Sequence, residues 1–487
     1  MIIGANWHCV YIQFYYFLRG QIGGETVQNL SITLESGGKT PMYEQLYRYF
    51  VSEIARGHIR PGEKMPSKRA LQEGLGISRS TVETAYGLLA AEGYIEARPR
   101  SGYYCGDLVA PASPEPRSRP APEREPERQA TRGPDFSTAS VDVSQFPYAT
   151  WAKLNKEVVY SSPELLRRGH RQGDLPLRRA LARMLGETRG VRCAPEDIVV
   201  GAGMEYLTGL ILQLLPEATV LGLEDPGYTA MADTALALGR QVRYIPLDEA
   251  GMREDELRKS DVNVCYVTPS HQFPMGVTMP ASRRSRILRW ASEEPDRYVI
   301  EDDYDSEFRY VGRPIPSLKS MDDRGRVIYV GTFSRSLAPS IRVAYAVLPG
   351  PLLAKYRALS AHRLSTVSRY EQAVLARLMD TGVYGRYLRR LTGLYARRRA
   401  RLLAALGDIP GIEVSGDGGG MHFLIMSRER TEPELLERAL EQGLDLAGLS
   451  RYCHRYEPEG GCLVLGYGGV EEAQLSDACE RLRRALK

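Results

Sequence analysis

The sequence predicts a two-part α/β chain: a compact three-helix block closed by a short β hairpin, then a large domain on a mostly parallel sheet. Three observations carry this. At 487 residues the chain exceeds what one ordinary core organises. Between Pro111 and Pro134 it turns to Pro, Arg, Glu, Ser and Ala, a composition that cannot bury a core and reads as an extended linker. Beyond that stretch, apolar strand-like runs alternate with amphipathic helical patterns, as in βαβ units. The boundaries that follow are an N-terminal extension over residues 1–30, a small block over 31–106, a linker over 107–134 and a large domain over 135–487.

With 43% hydrophobic and 25% charged residues the chain falls among soluble globular proteins. A net charge of +4 is too small to mark the whole chain as a nucleic-acid binder, so local clusters must carry any such reading. Seven cysteines, an odd number without a C-x-x-C pair, fit neither a disulfide framework nor a zinc site. A reducing cytoplasm is the expected setting. Met1 to Leu18 is apolar and aromatic-rich and carries no Lys, Arg, Asp or Glu. It is shorter than the roughly 20 apolar residues of a spanning helix, Asn6, His8 and Gln13 interrupt it, and no basic region precedes it. The expectation is a translation start called too early, with the protein beginning between Val27 and Ser31, rather than a membrane anchor.

In the small block, Tyr43, Leu46, Tyr47, Phe50 and Ile54 recur at helical spacing and predict a helix over 42–56. Pro61-Gly62 makes a turn. Ser67 is placed as the N-cap of a second helix that ends near Gly76. Ser78 or Ser80 caps a third, Ser80 with Glu83 fitting the capping-box spacing, and Val82, Ala85, Tyr86 and Leu89 form its buried stripe. Helices joined by Leu75-Gly76-Ile77 make a helix-turn-helix. The segments 94–97 and 102–104 read as two strands of a wing around Pro99-Arg100-Ser101. The polar residues then fall where a duplex needs them. Lys68 and Arg69 open the second helix; Ser78, Arg79, Ser80 and Thr81 open the third. Helix N-termini and hydroxyls suit phosphate oxygens, and Arg can read guanine bidentately in the major groove. Arg98 and Arg100 on the wing tip can enter the adjacent minor groove. The string P-G-x-x-x-P-S-x-R…S-R-x-T-V…A-Y…L…E-G-Y resembles the GntR-type winged helix across residues 41–104.

In the large domain, Val299-Ile300-Glu301-Asp302-Asp303-Tyr304 is an apolar strand ending in acids, and strand C-termini are where open α/β sheets place ligand groups. A pyridoxal phosphate site needs an acid against the pyridinium nitrogen, a phosphate cradle, a ring-stacking aromatic and a lysine. Asp302 is a suitable acid, and Tyr304 can reach the ring hydroxyl. The run 198–205 reads as strand, tight glycine turn and helix, a geometry that presents backbone N–H groups to a phosphate. Glu224-Asp225-Pro226-Gly227-Tyr228 ends another strand with an aromatic, and residues 327–330 lead into G-T-F-S-R-S-L-A-P.

Together these segments resemble the fold-type I aminotransferase domain, and behind a GntR-like winged helix and linker they look like the MocR family of regulators. The resemblance covers residues 30–487 and rests most on E-D-D-Y-D-S-E-F-R-Y (301–310), P-S-H-Q-F-P-M-G (269–276) and G-T-F-S-x-S-L-A-P (331–339). It implies that Asp302 faces the pyridinium nitrogen, Tyr304 the phenolic oxygen and Tyr228 the ring. Ala202, Gly203 and Met204 amides, with Thr332, Ser334 and Arg342, would hold the phosphate. It further implies a head-to-tail homodimer on double-stranded operator DNA, with a small-molecule effector altering how the winged helices engage it.

One departure matters most. The family carries the Schiff-base lysine as the third residue of F-S-K-S, whereas Phe333-Ser334-Arg335-Ser336 has an arginine there. Lys319 and Lys355 belong to other segments. A Schiff base needs a neutral amine, which a tuned lysine supplies and a delocalised, protonated arginine does not. Ordinary catalysis is therefore not expected. Three readings of Arg335 stay open: it pairs with the phosphate or an anionic effector in a non-covalent site, it accepts a preformed cofactor–amino acid adduct or the amine vitamer, or it fills the space and leaves a dimerisation domain. Arg451 and Arg455 are candidates for an effector carboxylate, with surface charge as the other reading. Ala230 stands where some family members carry a second carboxylate-binding arginine. The run Arg386, Arg389, Arg390, Arg397, Arg398, Arg399 and Arg401, interleaved with Leu388, Leu391, Tyr395 and Leu402, reads as an amphipathic helix with a solvated basic face rather than a second DNA surface. The expected function is a DNA-binding regulator with a non-catalytic ligand sensor. The rival is a pyridoxal-phosphate enzyme with an accessory DNA-binding domain.

Overall fold

The computed structural model describes residues 32, 34, 40–107, 133–310 and 315–487. The expected N-terminal extension and nearly all of the expected linker lie outside them. The chain divides into two compact units, residues 1–127 and 128–487, taken here in turn.

The small unit is three helices and a hairpin. Met42–Ala55 buries Leu46, Phe50 and Ile54, the stripe that its sequence spacing requires. Lys68–Leu75 starts at Ser67, whose hydroxyl accepts the Ala70 N–H at 3.1 Å, and stops at Gly76, which takes the left-handed conformation that ends helices without a Cβ penalty. Arg79–Ala91 buries Val82, Ala85, Tyr86 and Leu89. Its N-cap is Ser78, whose Oγ accepts the Thr81 N–H at 3.1 Å. The expected capping box on Ser80 is thereby corrected. Ser80 lies within the first helical turn, and Glu83 accepts instead from Arg79 at 3.0 Å. Ile95–Arg98 and Gly102–Cys105 pair antiparallel as the wing.

The large unit holds an eight-stranded sheet in the order Ile198–Gly201, Ala344–Val347, Val327–Thr332, Tyr298–Asp302, Val264–Val267, Val220–Asp225, Gln241–Asp248, Gly251–Met252. The four central pairings from Val327–Thr332 to Gln241–Asp248 are parallel, while Ala344–Val347 and Gly251–Met252 run antiparallel to their neighbours. Buried apolar residues from both faces of the sheet pack against flanking helices. Sequence periodicity left one element unannounced, a separate antiparallel sheet of Ile412–Ser415, His422–Ser427, Gly461–Gly466 and Ala447–Gly448. Its first two strands pair as a hairpin, and its pairing of His422–Ser427 with Gly461–Gly466 joins residues 34 to 44 positions apart. Among the described residues no helix is long and apolar enough to cross a membrane, and the described cysteines are free thiols.

The basic run lies on the helix Val383–Leu406 and corrects one expectation. Arg386, Arg389, Arg390, Arg397 and Arg401 face solvent. Arg398 is fully buried, bound to Asp142 at 2.8 Å and to the Gly468 carbonyl at 3.1 Å, and Arg399 is held by Asp417. A buried charge persists only where partners satisfy it, and here they come from residues more than 60 positions away.

Candidate cofactor site and nucleic-acid interface

On the small unit, Lys68, Arg69, Ser78, Arg79, Ser80, Thr81, Arg98 and Arg100 are all surface residues at helix N-termini or on the wing. Arg69 and Arg79 hold Glu73 and Glu83 one turn along at 2.7 and 3.0 Å. Such exposed pairs contribute little and exchange readily for phosphate. The Arg98 guanidinium lies 4.2 Å from the Tyr104 ring centre, and Lys68 5.1 Å from that of Tyr103, so both wing strands carry cation–π partners. Arg100 sits at the hairpin tip with φ 61°.

On the large unit, parallel strands bring the sequence-distant acids to one sheet edge. Asp302 ends Tyr298–Asp302 and is buried. Tyr266, on the neighbouring strand, donates its hydroxyl to Asp302 Oδ2, while Oδ1 has no hydrogen-bond partner. Burial raises the Asp302 carboxyl to about 7, against the opposing pull of Tyr266. Next to it, Asp303 behaves oppositely. Burial works against its charge, but Arg189, at 2.6 Å from Oδ2, and the Tyr329 hydroxyl, also at 2.6 Å, hold it below the ordinary value. Tyr304 donates to the His271 carbonyl at 2.9 Å. Arg335 donates to the Thr138 carbonyl, with its guanidinium 6.0 Å from the Tyr304 ring centre.

The glycine turn behaves as its sequence suggests. Gly203, at φ 90°, is the N-cap of Met204–Leu214, and a Cβ there would collide with the Arg342 guanidinium. Arg342 is itself left-handed at φ 51° and pairs with Glu205. Among the described residues only Arg100 and Arg342 are non-glycines with positive φ, and both are site candidates. Such strain costs about 1–3 kcal/mol and persists where the surroundings impose it. The Ala202 N–H donates to Thr366 Oγ1 at 3.0 Å, the Ser334 N–H to Thr332 Oγ1 at 3.1 Å. Tyr228, partly exposed, N-caps Thr229–Ala237 and meets Phe273 edge-on at 6.3 Å.

Of the effector candidates, Arg451 is exposed on the turn Leu449–Tyr452, and Arg455 lines a cleft of about 530 Å³ with Arg243, Lys259 and Tyr456. Their segment is anchored on Asp225, which accepts the N–H groups of His454, Arg455 and Tyr456 at 2.7–3.1 Å. Lys319 is engaged by Asp322 at 3.2 Å, and Lys355 reaches the Leu215 carbonyl at 3.5 Å. Sequence reasoning passed over Tyr266 and Arg189, hydrogen-bond partners of Asp302 and Asp303. Only the parallel pairing of Val264–Val267 with Tyr298–Asp302 would have pointed to Tyr266.

A family model described as "Bacterial regulatory proteins, gntR family" matches residues 42–105. The chain is 37% identical over 452 residues to the HTH-type transcriptional regulator YdeL of Bacillus subtilis, covering 92% of this chain and 97% of that protein. It is 32% identical over 485 residues to the probable rhizopine catabolism regulatory protein MocR of Rhizobium meliloti, covering 93% and 96%. The chain belongs to the MocR family of HTH-type transcriptional regulators. The large unit of this MocR-family chain has the aminotransferase-like fold. A kynurenine aminotransferase of Pyrococcus horikoshii superposes with TM-score 0.64 at 28% identity, over 72% of this chain and 90% of that one. The fold places the chain in a pyridoxal-phosphate-binding class, while its full-length relatives are regulators.

Proposed function

We propose that this chain is a DNA-binding regulator whose aminotransferase-like domain senses pyridoxal phosphate, a related vitamer or an amino-acid adduct, held without a covalent bond. One observation carries the ligand side. Asp302 Oδ1 is a buried acceptor with no donor, in a carboxyl that burial, helped by the neighbouring Asp303 and Asp305, pushes up to about 7. A pyridinium N–H supplies both the missing donor and the missing positive charge. The residues therefore fit the ring, and Gly203, lacking a Cβ, leaves room for the Arg342 guanidinium, although the Ala202 and Gly203 N–H groups bond Thr366 and the Gly201 carbonyl and would have to exchange these partners for a phosphate.

When bound, the cofactor supplies an electron-sink ring. The chain's own residues do the rest. Tyr266 orients Asp302, and Tyr304 lies beside it to meet a phenolic oxygen. Tyr228 flanks the ring, and Ala202, Gly203, Met204, Thr332, Ser334 and Arg342 surround the phosphate end. Arg335 has no neutral amine to offer as nucleophile or base, and no lysine occurs between residues 320 and 354. That argues against the rival reading of a working aminotransferase and for Arg335 as an anion partner. Binding at this site would bias two copies of the chain, arranged head to tail in the cytoplasm, in how their winged helices grip operator DNA.

The test is calorimetry and visible absorbance on the purified full chain titrated with pyridoxal phosphate. Heat without a Schiff-base absorption band is the expected result. Neither heat nor band would mean that Arg335 fills the site, and a borohydride-fixed adduct mapped to a lysine would restore the enzyme reading.

A further inference from the structure

Three buried side chains far apart in sequence converge behind Tyr304: His271, Asp305 and His422, none more than 3% exposed. One ligand-capable atom from each lies within 4.8 Å of the others. Their hydrogen bonds fix which atoms those are. His271 Nε2 lies 3.3 Å from the Gly416 carbonyl and His422 Nε2 3.0 Å from the Pro274 carbonyl. A carbonyl only accepts, so each Nε2 carries a proton and each Nδ1 is the atom left to hold either a second proton or a metal ion. This is how metal-binding histidines are oriented from behind.

His271 Nδ1 faces Asp305 Oδ2, 3.0 Å away. A positive centre belongs between these two atoms, either a proton on His271 or a metal ion that displaces it. The Tyr304 hydroxyl donates to the His271 carbonyl at 2.9 Å and also lies 3.1 Å from His271 Nδ1, so it adjoins the cluster. Asp305 Oδ1, also buried, has no partner at all. With bonds of about 2.0–2.1 Å, the edge of a tetrahedral zinc site is roughly 3.3 Å, close to the separation found. Gly420 keeps the space open: a Cβ there would strike both the His271 ring and the Asp305 carboxylate. Adjoining the cluster is a cavity of about 20 Å³ lined by His271, Asp305, Phe308 and Gly420, enough for one water. Arg189, Arg284 and Arg309 also line it, the first neutralised by Asp303 at 2.6 Å and the second facing Glu301 at 4.0 Å.

We propose that His271, Asp305 and His422 bind one divalent transition metal, zinc best among them, with a water in the adjoining cavity as fourth ligand. Two imidazoles and one carboxylate suit a borderline cation and give no preference to magnesium or calcium. The site is separate from ligand sensing in the large domain and stands whether or not pyridoxal phosphate binds. Its consequence there is mechanical: an ion on His271 and Asp305 fixes both neighbours of Tyr304, the chain segment on one side and the hydrogen-bond acceptor on the other.

The full chain, stripped with a chelator, is titrated with Co²⁺ and then with Zn²⁺. One Co²⁺ per chain with tetrahedral visible bands, bleached by Zn²⁺, is expected, together with a rise in thermal midpoint. Asp305→Asn and His422→Gln should each weaken binding by about 100-fold or more, because even outer-shell partners cost 10–100-fold. His454→Gln, stacked on Tyr244 elsewhere, should leave binding unchanged. Absence of a stoichiometric band in the wild-type chain would overturn the site and leave a protonated His271 paired with Asp305. Thiolate charge-transfer absorption would overturn it in favour of a cysteine site. Should a variant not fold, X-ray absorption on the wild-type Zn²⁺ form decides, with imidazole scattering expected and sulfur scattering counting against the proposal.

Discussion

The two units treat charge in opposite ways. In the small unit the candidate contact residues keep their charges in water, and Arg69 and Arg79 rest on glutamates of their own helix. In the large unit Glu224, Asp302, Asp303, Asp305 and Glu301 are withdrawn from water almost completely. The first arrangement suits a polyanion, which displaces weak surface pairs and releases counterions. The second stores unpaid desolvation that a small cationic ring or ion can relieve. Glu224 shows the baseline, raised to about 7 by burial although Thr268 at 2.8 Å and Gln272 at 3.2 Å bond its carboxylate. Asp302 shares with it one buried oxygen that has no partner, Oδ1 as against Oε1 of Glu224, and differs in ending its strand at the candidate ring site.

The largest change should come from Arg335→Lys. Restoring an amine that can be neutral, in a site where Asp302 and Tyr304 are already placed, should convert colourless binding into a yellow, borohydride-reducible adduct with pyridoxal phosphate. Mass spectrometry of the reduced protein reads this as all or none. A folded variant that never forms the adduct would show that the large unit's buried acids do not serve such a ring.

On the small unit, Arg79→Ala should weaken operator binding by roughly 10- to 100-fold, the discrimination of one bidentate base contact. The thermal midpoint should hardly move, since Arg79 is solvated and its only pair is with Glu83. Mobility shifts at fixed salt decide it, and an unchanged dissociation constant removes Arg79 from the interface.

Asp302→Asn sharpens the contrast from the other side, because it should help folding and harm binding. The folded carboxyl is raised to about 7 from an ordinary 3.8, so the native chain retains a proton that the unfolded chain has lost. Stability therefore falls as pH rises through that window. The amide has no proton to lose, so the ligand-free variant should melt higher than wild type at pH 8, with the difference gone near pH 4. Its affinity for pyridoxal phosphate should fall by roughly 10- to 100-fold, the worth of a hydrogen bond to a charged group. A variant with unchanged affinity would separate Asp302 from the ring.

What could be read beforehand divides along the same line. Both helices of the helix-turn-helix, the stripe Val82, Ala85, Tyr86 and Leu89, and the ends of the strands at Asp302 and Thr332 were legible because their signals are local: a cap, a period, a glycine. The antiparallel sheet, the burial of Arg398 against Asp142 and the grip of Tyr266 on Asp302 were not. The last two depend on residues 36 or more positions apart, and no local pattern distinguishes a solvated arginine from one whose partner arrives from another element. The same holds for His271, Asp305 and His422. The motif around His271 was visible, but its convergence with His422 was not.

The smallest effect tests the most local feature. Sequence spacing allowed either Ser78 or Ser80 to cap the third helix, and the structure gives the role to Ser78, whose Oγ accepts the Thr81 N–H at 3.1 Å. Ser78→Ala leaves that N–H to water and should cost about 1 kcal/mol of stability. Ser80 contacts the Ser78 hydroxyl at 2.8 Å but satisfies no backbone donor, so Ser80→Ala should cost only a few tenths. Urea denaturation of the two variants compares them directly. Both serines are among the proposed phosphate contacts, so on that reading both variants should lose operator affinity by similar small factors while differing in stability. Equal stabilities would mean that the cap is shared between the two serines, whereas a larger loss for Ser80→Ala would return the cap to the residue that the capping-box spacing favoured.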